Sequence, residues 1–310
     1  MFKFYFTHFI KKEPKTLNKN FTFEKKLFNM QQTDLLKQTA TQVRRDALRM
    51  IHAVNSGHPG GALGCTEFMV ALYYEIMEHN PHHFSIDGIN EDLFFLSNGH
   101  LSALWYSVLA RTGYFPVSEL ATFRHIGSRL QGHPATAEHL PGIRIASGSL
   151  GQGLSVAIGA AISKKLNNDN KIVYSLHGDG ELQEGQIWEA AMFASAKKID
   201  NIIATIDFNG KQIDGPTDKV LALGDLKAKF IAFDWDVLEM NGNNIEEVIN
   251  VLKIAKTHTG KAKPVVIIMK TEMGFGVDFM MGTHKWHGSA PNNEQLANAL
   301  AQLPETLGDY

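Results

Sequence analysis

Two polar motifs, each at the end of an apolar segment, most constrain how this chain can fold. Gly178-Asp179-Gly180 comes after the mostly apolar segment 171–176, and Asn209 comes after the mostly apolar segment 201–206. The stretch 186–196 between them has the apolar spacing of a helix, so the pattern predicts strand, helix and strand. Such a unit joins two parallel strands by a right-handed crossover. We therefore expect Asp179 and Asn209 at the same edge of a parallel sheet, where ligands bind in α/β proteins.

The rest of the chain continues this alternation. Helices are predicted over residues 33–54 and 66–77, from 101 to about 111, from 154 to about 166, and over 186–196 and 245–257. Strands are predicted over residues 92–96, 144–146, 171–176, 201–206, 235–239 and 264–269. Because strands and helices alternate, the sequence predicts an α/β fold with a buried parallel sheet and helices on both faces.

Composition limits the classes of function. The chain has 310 residues, of which 44% are apolar, and its net charge is −2. No bulk positive charge points to nucleic acid or an anionic membrane, and apolar runs such as residues 202–206 are far shorter than the ~20 residues of a membrane helix. The single cysteine, Cys65, excludes an internal disulfide framework and suits a reducing compartment, so we expect a cytoplasmic protein.

Residues 1–29 differ from the rest of the chain. They contain seven lysines but no arginine and no serine, which argues against a transit peptide. Lys3 and His8 interrupt the apolar stretch that a secretory signal needs. We expect a disordered tail here, or a start assigned too early with Met30 as the better start, followed by a single domain over residues 30–310.

The residue types at the two strand ends are those of a magnesium–diphosphate site. Asp179 would supply a charged oxygen and Asn209 a neutral one, and Mg²⁺ takes oxygen ligands in an octahedron that leaves positions for water and phosphate. The flanking glycines would let phosphate groups approach the main chain. Taken alone, Gly-Asp-Gly also occurs in ordinary turns, where the aspartate bonds its own backbone.

Other cofactor and metal sites fit the sequence less well. The glycines at 148, 151 and 153 stand in the order G-x-x-G-x-G, which is wrong for the dinucleotide fingerprint, and Gly153 is equally explained by close packing of a helix on the sheet. A zinc site is not expected, because Cys65 has no partner cysteine and the sequence contains no His-Glu-x-x-His motif.

Seven motifs in a fixed order make the chain resemble the thiamine diphosphate enzymes and, among them, the transketolases. The motifs are Ser56-Gly57-His58-Pro59-Gly60, Leu96-Ser97-Asn98-Gly99-His100, Gly132-His133-Pro134, Leu150-Gly151-Gln152-Gly153, Gly178-Asp179-Gly180 with Glu184-Gly185, Asp207-Phe208-Asn209 with Ile213-Asp214-Gly215, and Trp286-His287-Gly288. The resemblance covers residues 33–291 and implies the diphosphate-binding type of the thiamine diphosphate fold.

The resemblance assigns roles around the metal and the diphosphate. It implies that Asp179, Asn209 and the backbone carbonyl of Lys211 bind Mg²⁺, for which other divalent cations can substitute. Gly180 and His100 would meet the diphosphate of the cofactor.

It also assigns contacts to the rest of the cofactor. Gly148 and Leu150 would line the thiazolium and pyrimidine rings, and Ile213 would pack on the cofactor. Glu184, with Glu189, would form a buried acidic link to the second active site of a dimer. The alternative for these two glutamates is that they stabilise a helix dipole, which is worth ~0.3–1 kcal/mol.

Three histidines are expected to face the sugar substrate. The resemblance implies this position for His58, His133 and His287, with His287 also touching the cofactor. Histidine suits the task, because it offers neutral donors and acceptors near pH 7 and can exchange a proton there. His177 lies beside the metal loop but outside the motifs, so we interpret it as structural.

The implied reaction is that of transketolase in the pentose phosphate pathway, the transfer of a two-carbon ketol unit from a ketose phosphate to an aldose phosphate. Ordinary transketolases are about twice this length, and only 23 residues follow His287. We therefore expect a C-terminal partner subunit with the pyrimidine-binding domain, in a dimer of heterodimers. The alternatives are a subunit of a deoxyxylulose-phosphate synthase or of a 2-oxo acid dehydrogenase, and a non-catalytic cofactor-binding subunit. His58-Pro59-Gly60 and Asn98-Gly99-His100 argue against the first two.

Overall fold

The computed structural model describes the backbone of residues 18–310 and the side chains of residues 31–310. The chain divides into two compact units, Met1–Leu35 and Leu36–Tyr310. In the first unit, the described backbone belongs to helix α1 (Asn18–Ala53). The expectations of a tail over residues 1–29 and of a domain that starts at residue 30 stay predictions, because residues 1–17 lie outside the described part of the chain.

Helices and strands alternate along the second unit. After α1 the helices are α2 (Pro59–Gly64), α3 (Thr66–Ala71), α4 (Ser102–Arg111), α5 (Gly153–Leu166), α6 (Gly185–Ala196), α7 (Thr217–Val220), α8 (Leu226–Ala232), α9 (Ile245–His258) and α10 (Asn293–Gln302). The strands are β1 (Leu93–Leu96), β2 (Val173–Gly178), β3 (Ile202–Phe208), β4 (Lys211–Gln212), β5 (Gly215–Pro216), β6 (Asp236–Asn241) and β7 (Val265–Lys270).

Five strands form one parallel sheet in the order β1-β2-β3-β7-β6. The central strands are apolar along most of their length, and successive residues of β7 from Val265 to Met269 are all buried. Because successive residues of a strand point to opposite faces, both faces of the sheet are covered. The predicted α/β fold with a buried parallel sheet is thus confirmed.

The register of β2 and β3 fixes the position of the predicted metal loop. Gly178 pairs with Asp207 at the carboxyl end of the two strands. Asp179 and Asn209 follow directly, so both loops leave the sheet at one edge. The loop after β3 then forms the small antiparallel hairpin of β4 and β5.

Five of the six predicted strands are present, with ends shifted by no more than two residues. The predicted strand at 144–146 is wrong, since these residues have no regular structure. The Arg144 side chain instead forms an ion pair with Glu91 at 3.0 Å and lies 4.5 Å from the centre of the Phe84 ring. These contacts hold the segment against the loop before β1 rather than beside a strand.

One predicted helix is divided in two, and the short helix α2 has no counterpart among the predicted helices. The predicted helix 66–77 is α3 followed by a π-helical turn, Leu72–Ile76. The glycines of α2 favour a loop, yet Pro59 stands at its first position, where proline favours a helix start. Within the described part of the chain, no helix has both the length and the apolar character that a membrane span requires.

Candidate active site

Most of the predicted site residues meet at the carboxyl edge of the sheet. They line a cavity of about 240 Å³. The predicted residues that line it are His100, Leu150, Asp179, Gly180, Glu184, Asn209, Lys211, Ile213 and His287. His58 lies beside this cavity, where its ring is next to those of His100 and His287.

Asp179 is buried at the centre of the predicted metal loop. Its two carboxylate oxygens accept hydrogen bonds from the backbone N–H groups of Gly180 at 2.7 Å and Gly210 at 2.6 Å. The backbone N–H of Asp179 in turn donates to the carbonyl of Asp207 at 3.1 Å. Burial, with a contribution from the Asp207 carboxylate, raises the pKa of Asp179 to about 7. These bonds tie the loop after β2 to the loop after β3.

Asp207 supports the second loop and was not assigned a role from the sequence. It is buried in β3, and its carboxylate accepts hydrogen bonds from Asn209 Nδ2 at 2.8 Å and from the Thr271 hydroxyl. Burial raises the pKa of Asp207. Since the amide nitrogen of Asn209 is held in this way, its Oδ1 turns to the loop and accepts from the Lys211 N–H at 2.9 Å.

A second supporting carboxylate, Glu272, joins the metal loop to the loop that carries His287. Its Oε1 lies 3.1 Å from Lys211 Nζ and accepts the N–H of Gly282 at 2.8 Å. The Lys211 side chain therefore points to Glu272. This direction is compatible with the predicted role of Lys211, in which only its backbone carbonyl binds the metal. Ile213, in the β4–β5 turn, is 58% exposed and leaves an apolar surface at the cavity mouth.

Three of the predicted histidines form a compact cluster. The ring centroids of His58 and His100 are 4.8 Å apart, those of His100 and His287 are 5.4 Å apart, and those of His58 and His287 are 5.7 Å apart. They come from three distant parts of the chain. The Nδ1 atoms of His58 and His287 are buried and have no hydrogen-bond partner among the described residues. Both atoms thus lack the hydrogen bond that a buried polar group normally makes.

The cluster favours neutral imidazoles. Burial, with the neighbouring His287, Arg124 and His133, lowers the pKa of His58 to about 4. Burial also lowers the pKa of His100 well below its usual value and lowers the pKa of His287. At pH 7 these three side chains are thus uncharged and can act as hydrogen-bond donors and acceptors.

His133 and Gly148 lie together at the side of this cluster, outside the lining of the cavity. Gly148 has φ +133°, and a Cβ atom added there would lie 3.1 Å from the His133 ring. The exposed His133 has a pKa lowered by partial burial and by Arg124. Arg124, which the sequence reasoning missed, donates to Ser56 Oγ at 2.9 Å, next to the His58 loop.

Glu184 directly precedes α6 and Glu189 lies within it, and both side chains are exposed. Glu184 also lines the cavity. His177 is buried, and its Nε2 lies 2.8 Å from Ser175 Oγ, away from the cavity lining. The predicted acidic link between two sites and the individual roles of the site residues stay predictions.

The donor set fits a hard divalent cation. A carboxylate, an amide oxygen and a backbone carbonyl are all oxygen donors of the kind that Mg²⁺ takes. Asn98 adds a buried Oδ1 on the cavity wall that lacks a partner among the described residues. Searched over the same residues, no group of three or more His, Cys, Asp or Glu side chains could hold a metal ion by itself. Three oxygen donors leave positions in an octahedron for phosphate and water ligands.

Comparison with known proteins identifies the family. Residues 35–305 match the family described as transketolase, thiamine diphosphate binding domain. The chain is 36% identical to one of the subunits of the apulose-4-phosphate transketolase of Phocaeicola vulgatus, over 89% of this chain and 96% of that protein. It is 38% identical to the 6-deoxy-6-sulfo-D-fructose transketolase subunit SqwG of a Clostridium species, over 88% of this chain and 97% of that protein.

Solved structures agree with these matches. The transketolase of Campylobacter jejuni superposes with a TM-score of 0.80 at 36% identity, over 87% of this chain and 43% of that one. The transketolase of Leishmania mexicana gives the same TM-score at 32% identity, over 86% of this chain and 41% of that one. The chain thus spans about two fifths of the length of these solved transketolases. With the sheet, the strand-end loops and the sequence matches in agreement, the chain belongs to the transketolase family and has its thiamine diphosphate-binding fold.

Proposed function

We propose that this chain is the diphosphate-binding subunit of a two-chain transketolase. Together with a partner that carries the pyrimidine-binding domain, it transfers a two-carbon ketol unit from a ketose phosphate to an aldose phosphate. The observation that carries the proposal is the cluster of His58, His100 and His287 directly beside the loops of Asp179 and Asn209.

The residues present fit thiamine diphosphate with Mg²⁺. Asp179, Asn209 and the Lys211 carbonyl would hold the metal, and Gly180 with His100 would meet the diphosphate. Bound here, the coenzyme supplies the nucleophile and the electron sink for cleavage and formation of a carbon–carbon bond. The chain itself supplies a site that holds the diphosphate end in a fixed place relative to the histidines.

The histidines suit a polyhydroxylated substrate. A neutral imidazole can donate from one nitrogen and accept at the other, so it can bind a hydroxyl or carbonyl without a net charge. The unpartnered Nδ1 atoms of His58 and His287 are already desolvated, and a sugar hydroxyl would restore a hydrogen bond to each. A histidine that holds a hydroxyl proton can also transfer it during bond cleavage.

The relatives support a two-chain enzyme and an anionic ketose. Two of them, matched over almost their whole length, are described as transketolase subunits. The names of these relatives refer to a ketose phosphate and to a ketose sulfonate. We propose a ketose with an anionic group as the donor here too, and a dimer of heterodimers as the assembly.

Coenzyme binding tests the metal part of the proposal. Thiamine diphosphate at about 100 times its Kd should stabilise the chain by ~2.7 kcal/mol when Mg²⁺ is present, since only the folded site binds it. The stabilisation should disappear with a chelator and in Asn209→Leu. A coenzyme-induced shift that persists under chelation would contradict the assigned metal ligands.

Turnover tests the reaction. We expect activity with xylulose 5-phosphate and ribose 5-phosphate, or with a related ketose phosphate donor, only after the chain is combined with a companion of similar size from its native source. Robust turnover by the chain alone would refute the two-chain proposal. Consumption of pyruvate in the donor screen would favour a deoxyxylulose-phosphate synthase type of reaction, and unchanged activity of His287→Ala in the complex would favour a non-catalytic role.

A further inference from the structure

Glu181 is a buried carboxylate that no assigned role uses. It follows Gly180 in the short 3₁₀ turn Gly180–Gln183, is 2% exposed and lies on the wall of the coenzyme cavity. Burying a charged side chain is costly unless it is fully hydrogen-bonded. Its partners therefore indicate what the side chain does.

The Glu181 carboxylate is bonded to the loop after β1, to the loop before α5 and to the last residue of β2. Oε1 accepts hydrogen bonds from the Ser97 hydroxyl and from the N–H of Gly151 at 2.9 Å. Oε2 accepts the N–H of Gly178 at 3.0 Å. Ser97 Oγ also accepts the N–H of Gly153 at 3.1 Å, at the start of α5.

Each of these contacts lies next to a predicted coenzyme residue. Ser97 directly follows β1 and precedes the turn that holds His100. Gly151 follows Leu150, and Gly178 precedes Asp179. One carboxylate thus connects the three loops that would hold the two ends of the coenzyme.

Two of the three hydrogen bonds to Glu181 come from main-chain N–H groups, so they hold the backbone itself rather than a side chain. Gly178 ends β2, and its N–H is held by Glu181. Gly151 has φ +87°, in the left-handed region, and its N–H is likewise held by Glu181. Without the carboxylate, these two glycines would lose the acceptor that fixes their peptide planes.

We propose that Glu181 is a positioning residue that sets the spacing of the β1, β2 and α5 loops before thiamine diphosphate binds. It acts through Gly151, Gly178 and Ser97 and does not itself touch the reacting atoms. This inference rests on the proposed coenzyme site, whereas the loop ordering it describes can be measured without any coenzyme.

The test compares Glu181→Gln with a matched control, Asp92→Asn. Asp92 is also a buried carboxylate that accepts backbone N–H groups, from Glu78 at 3.0 Å and from Ile172 at 2.8 Å, but it lies at the amino edge of the same sheet. A glutamine at 181 keeps the shape yet presents one N–H₂ group to a donor. A loss of general stability should affect both variants, whereas a loss of loop positioning should affect only the first.

Hydrogen exchange by mass spectrometry on the chain without coenzyme is the first readout. We expect faster exchange in peptides covering 148–153 and 175–180 for Glu181→Gln, and wild-type exchange there for Asp92→Asn. Calorimetry with thiamine diphosphate and Mg²⁺ is the second, with Kd weakened about tenfold in Glu181→Gln, as expected for one lost bond to a charged acceptor.

The outcomes separate this inference from the proposed function. Wild-type exchange in both peptides for Glu181→Gln would overturn the positioning role. Faster exchange in Glu181→Gln with an unchanged Kd for thiamine diphosphate would also overturn it, because the order of these loops would then not affect coenzyme binding. A wild-type chain that binds no coenzyme, alone or with its companion, would refute the proposed function, while the exchange data would still decide whether Glu181 orders the loops.

Discussion

Replacement of Gly99 by alanine tests whether the close approach of two site loops matters. Gly99 lies between Asn98 and His100, in the 3₁₀ turn Gly99–Leu101. A Cβ atom there would lie 2.4 Å from Ser147 Oγ, 2.9 Å from Ser147 C and 2.9 Å from Gly148 N. The hydroxyl can rotate away, but the two main-chain atoms can move only with their loop.

The size of the effect follows from these distances. Ordinary contacts begin at 3.4 Å, so the loop that carries Gly148 must retreat by about half an ångström. Overpacking of this kind costs ~1–3 kcal/mol, which corresponds to a fall in Tm of roughly 2–10 °C for a unit of this size. The retreat also moves Gly148 and Leu150 away from His100, and a displacement near the tolerance of a catalytic site should lower turnover on the order of tenfold.

The assay is thermal unfolding of Gly99→Ala with and without thiamine diphosphate, followed by turnover in the reconstituted complex. Gly159→Ala is the matched control, because Gly159 lies inside α5 with nothing within 4 Å of the added Cβ. The control should gain about 0.5–1 kcal/mol from the higher helix propensity of alanine. A Gly99→Ala variant with wild-type Tm and full turnover would refute the reasoning.

Two further predictions concern charge. His58 is neutral in the folded chain down to pH about 4, whereas a histidine in the unfolded chain takes up a proton near pH 6.5. Between these two pH values the unfolded state therefore binds more protons than the folded state. The free energy of unfolding should fall by at most about 3 kcal/mol as the pH is lowered through this window. His58→Gln should make the fall in Tm between pH 6.5 and pH 4 shallower than in wild type or in the exposed control His125→Gln, and an unchanged slope would contradict the burial of a neutral imidazole. Lys211→Met should weaken Mg²⁺-dependent coenzyme binding by about fivefold at most, because only the backbone carbonyl is assigned to the metal and a partly exposed ion pair with Glu272 is worth ~0–1 kcal/mol. A loss well above tenfold in calorimetry would show that the side chain or its contact with Glu272 is needed.

The fold was predictable where apolar runs end in glycine or asparagine. Strands β2 and β3 satisfy this description, and their parallel pairing places Asp179 and Asn209 as the sequence predicts. The prediction failed at residues 144–146, whose alternation resembles a strand. A bonded neighbour in the sheet decides whether such a segment becomes a strand, and here Arg144 is engaged by Glu91 instead.

The supporting carboxylates of the site could not be found from the sequence in the same way. Glu181 bonds Ser97, 84 residues earlier, and Asp207 bonds Thr271, 64 residues later. Contacts at such sequence separations leave no periodic pattern in the sequence, because each contact depends on which strands become neighbours in the sheet. Asp207 could have been suspected from its place two residues before Asn209, since a side chain there emerges at the end of the same strand.

Charge divides the cavity into two parts that need different ligands. At one end, Asp179 and Asp207 are both buried, and no lysine or arginine side chain of the described chain hydrogen-bonds to either carboxylate. Two such groups are stable together only if a cation approaches or a proton is taken up. At the other end, the imidazoles of His58, His100 and His287 are held neutral. A ligand that fills the whole cavity must therefore bring positive charge to the first end and hydrogen-bonding groups to the second, as a magnesium-bound diphosphate coenzyme followed by a sugar would do.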